Sequence, residues 1–374
     1  MLTLALTAFA AATTAGHLVS TGLVLRRYAA KAPAPAAELP FITLLRPVCG
    51  LDAFEAETLG SSFVQDYPQY EVIFCVARAD DPVIPLVTSL IARHPDRPAR
   101  LLIGDSAISA NPKLNNLHKG WQTAAADWVA MADSNLLLPP DYLKTLVASW
   151  RHDSGLVSSP PVGQRPMGLA ASVECAFLNG NQARLQLAAD SLGMGFAQGK
   201  TLFWRRDILD RAGGLQALGR DLAEDVCATK LVRGRGRSVT LTPRSFAQPI
   251  GRRSFRAVWD RQLRWSRVRR DGFPRLFLAE ALNTPVLSAL AIGLCFGPAA
   301  AMALLCLLYL AEGVMLARCG WPRGPRDLLA MPLRDVLILP LWLATFGARG
   351  FRWRGTEMAP PAETATIPDA LPAE

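Results

Sequence analysis

The chain has 374 residues, 51% of them hydrophobic and only 19% charged, where soluble domains carry about 25% charged residues. Its formal net charge is +9 and its mean hydropathy +0.19. These values exclude a disordered chain, a collagen-like repeat and a small disulfide scaffold. The seven cysteines (Cys49, Cys75, Cys175, Cys227, Cys295, Cys306 and Cys319) form no CxxC pair and meet no His at zinc spacing. An odd, scattered set points to a reducing compartment and to cysteines acting as small hydrophobes.

In chain order, Leu2 to Leu25 carries no Asp, Glu, Lys or Arg. At ~1.5 Å per residue it makes about 36 Å of helix, enough to cross a ~30 Å hydrocarbon core. Arg26, Arg27 and Lys31 follow, and the positive-inside rule then places the body in the cytoplasm. A cleaved signal peptide ending near Lys31 is the weaker alternative, because no basic residue precedes the long apolar run. Residues 1–27 read as an N-terminal transmembrane anchor and 28–40 as an Ala/Pro linker.

Residues 41–250 alternate short apolar runs with amphipathic stretches. Strands are expected at Ile42–Leu45, Glu71–Ala77, Arg100–Ile103 and Trp128–Ala132, and near Gly155–Ser158, Thr201–Trp204 and Val239–Leu241. Helices are expected at Pro85–Arg93, Leu114–Ala125 and Pro140–Trp150. That alternation predicts a mostly parallel α/β sheet covered on both faces, with ligands at the carboxyl ends of its strands.

Residues 251–278 read as a basic amphipathic interface helix. Arg252 to Arg275 holds nine arginines and two aspartates, a net +7. Phe255, Val258, Trp259 and Leu263 recur there at helical spacing. Arginine and tryptophan beside a membrane segment suit an interface, so nucleic acid is not expected as a partner. Residues 280–348 read as C-terminal membrane segments. Glu280–Ala317 is too long for one crossing and is broken at Gly297-Pro298, which predicts a hairpin. Glu312, costly in lipid, is expected to face a cavity or another helix. Leu333–Phe346 is short and holds Arg334 and Asp335, so a third crossing and a re-entrant helix both stand. Residues 359–374 read as a disordered tail.

Acidic residues stand where an α/β body would bind ligand. Asp80 and Asp81 follow the second strand, Asp133 follows the fourth, and Glu224-Asp225 precedes a helix. Sugar transfer from a nucleotide donor asks for such a set. A carboxylate-held Mg²⁺ or Mn²⁺ neutralises the diphosphate, a second carboxylate accepts the proton of the attacking hydroxyl, and basic side chains stabilise the leaving group.

Arg261-Gln-Leu-Arg264-Trp265 resembles the (Gln/Arg)xxArgTrp motif of inverting membrane-bound glycosyltransferases. With Asp81 in Asp-Asp-Pro, Asp133 in Met-Ala-Asp-Ser-Asn and Asp225 in Ala-Glu-Asp, the chain resembles the ceramide glucosyltransferase family, glycosyltransferase family 21, which is close to family 2. Asn111-Pro-Lys113-Leu-Asn-Asn-Leu117 and Leu209-Asp-Arg-Ala-Gly-Gly-Leu215 carry the same resemblance, which covers roughly residues 40–270. It implies a GT-A fold, Rossmann-like and of the nucleotide-diphospho-sugar transferase kind, between N- and C-terminal transmembrane helices, and direct inversion at the anomeric carbon. It also assigns roles. Asp81, with Asp80, would contact the uridine, Lys113 would lie near the nucleotide, and Asp133 would hold the diphosphate-bound metal. Asp225 would be the general base. Arg264 and Trp265 would hold diphosphate and acceptor, with Arg261 completing the motif.

Two places depart from the pattern. Asn135 stands where many relatives have a second acid, and Phe177–Gln182 lacks the His-Pro of the animal enzymes. Met-Ala-Asp-Ser-Asn and Phe-Ala-Gln198-Gly-Lys200 are similar to bacterial relatives that glycosylate hopanoid lipids. The expectation is therefore a membrane hexosyltransferase that moves glucose or N-acetylglucosamine from a UDP-sugar to a ceramide- or hopanoid-type lipid hydroxyl, in a bacterial inner membrane. A processive polysaccharide synthase and a non-catalytic lipid-binding scaffold are the alternatives.

Overall fold

The computed structural model describes residues 1–358 except 32, 222, 283, 349, 354 and 355. The tail 359–374 lies outside the described residues.

Among the described residues, nine strands build the α/β body: β1 Ile42–Val48, β2 Tyr70–Val76, β3 Ala99–Ile103, β4 Trp128–Ala132, β5 Ser154–Ser158, β6 Pro161–Met167, β7 Thr201–Arg205, β8 Ser238–Leu241 and β9 Phe246–Arg252. Seven form one sheet in the order β3-β2-β1-β4-β7-β5-β8. All of its pairings are parallel except those of β7, which runs antiparallel to β4 and β5. Side chains alternate across the sheet. Ile42, Leu44, Val72 and Phe74 pack on one face, against helices Ile84–Arg93 and Tyr142–Ala148. Leu45, Ile73 and Cys75 pack on the other, against helices Pro112–Thr123 and Glu224–Gly234. Each fully buried side chain of this size contributes about 1.5–3 kcal/mol.

The sheet also creates the site. β1 pairs with β2 as far as Val48 but with β4 only as far as Leu45. Beyond Leu45 the β4 side of β1 is an edge, so Pro47 costs no ladder bond there. Chain order reverses between β1 and β4, and a crevice opens at such a reversal.

β6 and β9 form a second, parallel pair that the sequence reading missed. Their sequences, Pro-Val-Gly-Gln-Arg-Pro-Met and Phe-Ala-Gln-Pro-Ile-Gly-Arg, carry the Pro and Gly that normally mark loops.

Among the described residues, three helices are long and apolar enough to cross a membrane: Leu2–Ala29, Pro298–Cys319 and Pro325–Thr345. The hairpin breaks at Gly297-Pro298 as expected, but its first arm, Pro285–Phe296, has only 12 residues, about 18 Å and short of a crossing. The last helix is longer than its apolar stretch suggested because it starts at Pro325. Arg334 is buried and bidentate to Glu312, at 2.6 and 3.0 Å, and also grips Asp335 at 2.8 Å. Glu312 therefore faces a neighbouring helix, as its cost in lipid requires. Gly180 presses on this cluster, and a Cβ there would collide with Glu312 and Arg334. Arg27 ties the first helix to the body through Asp190, at 2.7 Å, and the carbonyls of Leu241, Thr242 and Pro243.

Candidate active site

The loops after β1, β2 and β4 meet at the carboxyl edge of the sheet. Asp81 is buried and accepts the Gly50 N–H at 2.9 and 3.1 Å, and the Val83 N–H at 3.0 Å. It thereby ties the loop after β2 to the loop after β1. Its neighbour Asp80 points away, with a side chain 68% exposed, and pairs with Arg78 at 2.6 Å.

Asp133 ends β4 in a nest of ammoniums. Lys113 Nζ lies 2.6 Å from Oδ1 and Lys200 Nζ 2.8 Å from Oδ2. Burial pushes the Asp133 carboxyl up, but the two ammoniums outweigh it and hold the group well below the usual carboxylate range. Burial likewise pushes Lys113 down, while Asp133 and Glu224 together raise it above an ordinary lysine. Lys200 is lowered by burial, which Asp133 only partly offsets. Lys200 also donates to Asn135 Oδ1 at 2.9 Å.

Lys113 reaches Asp133 because Asn111 caps its helix, with Oδ1 accepting the Lys113 N–H at 2.9 Å and Pro112 opening the first turn. Lys113 then bridges to Glu224 at 2.7 Å, and Asn111 Nδ2 donates to the same carboxylate at 2.9 Å. Asp225, in the first turn of Glu224–Gly234, accepts the Gly199 N–H at 3.0 Å and the Val226 N–H at 2.8 Å. Burial, and after it the adjacent Glu224 charge, push its carboxyl up to about 6. Two adjacent acids thus have separate environments: Glu224 is bound to a lysine, while Asp225 is held by backbone N–H groups alone among its described hydrogen bonds. A buried carboxyl raised in this way, and held by backbone N–H groups in a crevice, is a candidate acid–base group.

Gly199 joins these parts. Its carbonyl accepts from Lys113 at 2.7 Å and its N–H donates to Asp225. A Cβ there would come 2.6 Å from Glu224 Oε1. We expect Gly199→Ala to displace Glu224 and Asp225 and to lower kcat on the order of 10²-fold, as a misplacement near 1 Å does. Steady-state kinetics on the purified variant check this, and an unchanged kcat contradicts it.

The basic helix Phe255–Gly272 crosses beside this cluster. Ser254 caps it, accepting the Ala257 N–H at 3.1 Å. Arg261 pairs with the buried Glu174 at 2.9 Å, and its guanidinium lies 6.0 Å from the Trp265 ring. Trp265 packs on Ala171, Cys175, Leu178 and Ile250. Arg264 is half-buried on the same helix, and its charge reaches Glu174. Most of the other arginines are bound to the protein. Arg253 pairs with Asp52 and Arg269 with Glu280, Arg267 donates to the Gly350 carbonyl, and Arg270 donates to the Thr345 carbonyl. Val258, Trp259 and Leu263 pack on Phe177, Ala330, Ile338 and Leu341. The apolar face of the helix thus covers protein helices.

The structure brings Asp133, Lys113 and Asp225 into one hydrogen-bonded cluster through Glu224 and Gly199. Asp81 lies on the same sheet edge, Arg261 and Trp265 flank it, and Asp80 stands outside. Sequence reading named Glu224 among the acids but gave it no role, and it did not assign Lys200, Glu174 or Arg46 to the site. Arg46 is fully buried in β1, with Nη2 3.0–3.1 Å from the carbonyls of Thr58, Ser134 and Leu136, so it props the loop that carries Asp133 and Asn135. A lone arginine inside an apolar strand was the available signal.

Paired carboxylates and ammoniums at the crevice of this sheet, beside apolar helices, define a GT-A-like glycosyltransferase fold with membrane-spanning-length segments. The fold matches the mannosyltransferase PcManGT from Pyrobaculum calidifontis, solved with GDP-Man and Mn²⁺, with a TM-score of 0.52 and 20% identity over 91% of this chain and 95% of that one. The chain belongs to glycosyl transferase family 21, whose model matches residues 2–364. It is 28% identical to ceramide glucosyltransferase 1 of Caenorhabditis elegans over 258 residues, 68% of this chain and 55% of the relative. It is 35% identical to the ceramide glucosyltransferase of Candida albicans over 156 residues, 38% of this chain and 28% of the relative. The chain spans about half the length of the Caenorhabditis relatives it matches.

Proposed function

We propose that this protein is an inverting hexosyltransferase of the membrane that moves glucose or N-acetylglucosamine from a UDP-sugar to a hydroxyl of a ceramide- or hopanoid-type lipid. The observation that carries this reading is Asp225, a buried carboxylate pushed up to about 6, joined through Gly199 to the Lys113–Asp133–Lys200 cluster. Asp225 takes the proton of the attacking lipid hydroxyl. Lys113 and Lys200, already gathered at the crevice, turn to the diphosphate as it leaves. Asp81 orders the loop that receives the uridine. Arg261, held on Glu174, and Arg264 with Trp265 close the site on the diphosphate and acceptor side.

No group of three His, Cys, Asp or Glu that could hold a metal ion occurs among the described residues. Mg²⁺ and Mn²⁺ at nucleotide sites need only one or two protein carboxylates, because phosphates and waters supply the rest. Asp133, with the Asn135 carboxamide beside it, would take that role once Lys113 and Lys200, which now occupy these oxygens, turn to the diphosphate. A divalent cation bound there supplies charge neutralisation of the diphosphate. With Arg26 and Arg27 in the last turn of the first apolar helix, the body faces the cytoplasm of a bacterial inner membrane in this reading.

The test is release of UDP by purified protein given UDP-glucose or UDP-N-acetylglucosamine, Mg²⁺ or Mn²⁺ and a lipid panel. No release with any lipid overturns the reading. Because the base form of Asp225 is required, kcat/KM is expected to rise with pH through about 6 and then level off. A profile flat from pH 5 to 8 contradicts the assignment of Asp225.

A further inference from the structure

We infer that the last long helix, Pro325–Thr345, does not cross the membrane. It lies along the body in the plane of the near leaflet, and the chain beyond it stays on the body's side, whichever side that is. Of the two readings that the sequence leaves open for this helix, only the one without a crossing fits its contacts.

Both ends of the helix are bonded to the body. In its first turn, Asp327 accepts a hydrogen bond from Ser172 Oγ at 2.6 Å. In its middle, Arg334 Nη1 donates to the Ala176 carbonyl at 3.3 Å, and Ile338 and Leu341 pack with Phe177 and Val258. At its end, Thr345 Oγ1 donates to Ser266 Oγ at 2.8 Å, and Arg270 donates to the Thr345 and Ala348 carbonyls. Ser172 and Ala176 lie on the helix Leu169–Ala176, which packs on β6, where a Cβ on Gly163 would come 2.7 Å from Cys175 Sγ. Ser266 and Arg270 lie on the basic helix, pinned to the body by Arg253 on Asp52 at 3.0 Å and by Gly272 against Val226. From Asp327 to Thr345 the last helix runs ~27 Å, close to the ~30 Å hydrocarbon core. A crossing would carry one of these ends to the far side, off the body.

The other apolar helices behave differently. Leu2–Ala29 and Pro298–Cys319 meet the body near one end, where Arg27 holds Asp190 and where Val24, Met315 and Leu316 pack with Val162 and Leu241. Away from the body the contact is among themselves: Cys295 Sγ, at the hairpin turn, lies 3.8 Å from the Thr3 carbonyl. Charge divides the same way. Residues 2–25 and 281–317 hold no Lys or Arg, whereas Arg323 and Arg326 stand at the start of the last helix and Arg349, Arg352 and Arg354 follow it. A crossing would split these arginines between two sides. An in-plane helix keeps all of them on one side, as the one-sided bias of lysine and arginine favours.

The face turned from the body is apolar. Leu329, Val336 and Leu343, seven residues apart, and Phe346 just beyond are more than half exposed, whereas Ala330, Arg334, Ile338, Leu341 and Thr345 are buried. The stripe is continuous with a membrane helix. Leu328 Cδ2 is 4.0 Å from a Cβ placed on Gly313, which follows the exposed Leu310 and precedes the exposed Val314. A helix with one free apolar face lies in the interface with that face about 5–10 Å into the acyl boundary. The acyl chains of the near leaflet are therefore what covers the stripe.

Trypsin digestion of oriented membrane vesicles tests the proposal. The full chain carries an epitope joined to Glu374 by a lysine-containing linker. Loss of the epitope and of peptides from residues 41–250 is followed in inverted and in right-side-out vesicles. Both are expected to be lost from the same preparation, at least tenfold more than from the other. Loss of the epitope from one preparation and of the body peptides from the other overturns the proposal. If the shared preparation is the right-side-out one, the cytoplasmic placement of the body fails and the in-plane helix stands. Val336 replaced by p-benzoylphenylalanine tests the free face in the same membranes. Photo-adducts with lipid are expected, and crosslinked copies of the chain, or no adduct, overturn its placement in the leaflet. Neither readout depends on sugar transfer, so failure of the transferase reading leaves both intact.

Discussion

An Asp225→Asn protein is expected to bind UDP like its parent, to lose about 10²- to 10⁴-fold in hexose transfer, and to melt at a higher temperature. The loss follows from removing the proposed base. The gain follows from the carboxyl's environment. Burial and the Glu224 charge raise it from the 3.8 of an ordinary aspartate to about 6. A carboxyl raised on folding stabilises the fold below its unfolded value, and that contribution disappears as pH rises through about 6. At neutral pH the ionised group therefore costs on the order of 2–3 kcal/mol. Asn removes the charge and keeps one acceptor for the Gly199 and Val226 N–H groups, at a loss of about 0.5–1.5 kcal/mol. A net gain of about 1–2 kcal/mol remains, seen as a higher Tm at pH 7.5 that shrinks toward pH 5. A variant that keeps its transfer rate removes Asp225 from the mechanism. One that is inactive but less stable than the parent contradicts the electrostatic account.

The second large effect lies among the C-terminal helices. Arg334→Met is expected to lower stability by about 3–5 kcal/mol, because it strands two buried acids, Glu312 and Asp335, that Arg334 now pairs. Gly180 packs directly on this pair, so its π-helical segment, Phe177–Ala183, should loosen with it. A companion variant, Arg334→Met with Glu312→Gln and Asp335→Asn, removes the stranded charges and should recover most of the loss. Thermal melts in one detergent compare the three proteins. A single variant that melts with the parent shows that the pair is solvated.

The sheet was legible in the sequence because its strands are short apolar runs at regular spacing. Trp128–Ala132 reads directly, and most of the other expected strands lie within one or two residues of those observed. Pro and Gly concealed β6 and β9. The C-terminal helices were harder. Arg334 and Asp335 read as breaks in an apolar span, yet their charge is cancelled by Glu312, which lies 22 residues away in sequence. Pairing across helices leaves no local trace. The same holds at the site. Asp133 and Asp225 stand out as acids at element ends. Glu224 acquires its role only through Lys113, 111 residues away, and Arg46 only through carbonyls up to 90 residues away. The charge excess of Arg252–Arg275 was visible, but its binding to Glu174, Glu280 and backbone carbonyls was not.

The central claim is hexose transfer to a membrane lipid by Asp225. Mass spectrometry of total lipids from cells expressing the parent chain or Asp225→Asn, in a host lacking the gene product, tests it most directly. The account predicts a lipid one hexose or one N-acetylhexosamine heavier in the parent and its absence in the variant. The same product in both, or in neither, contradicts it.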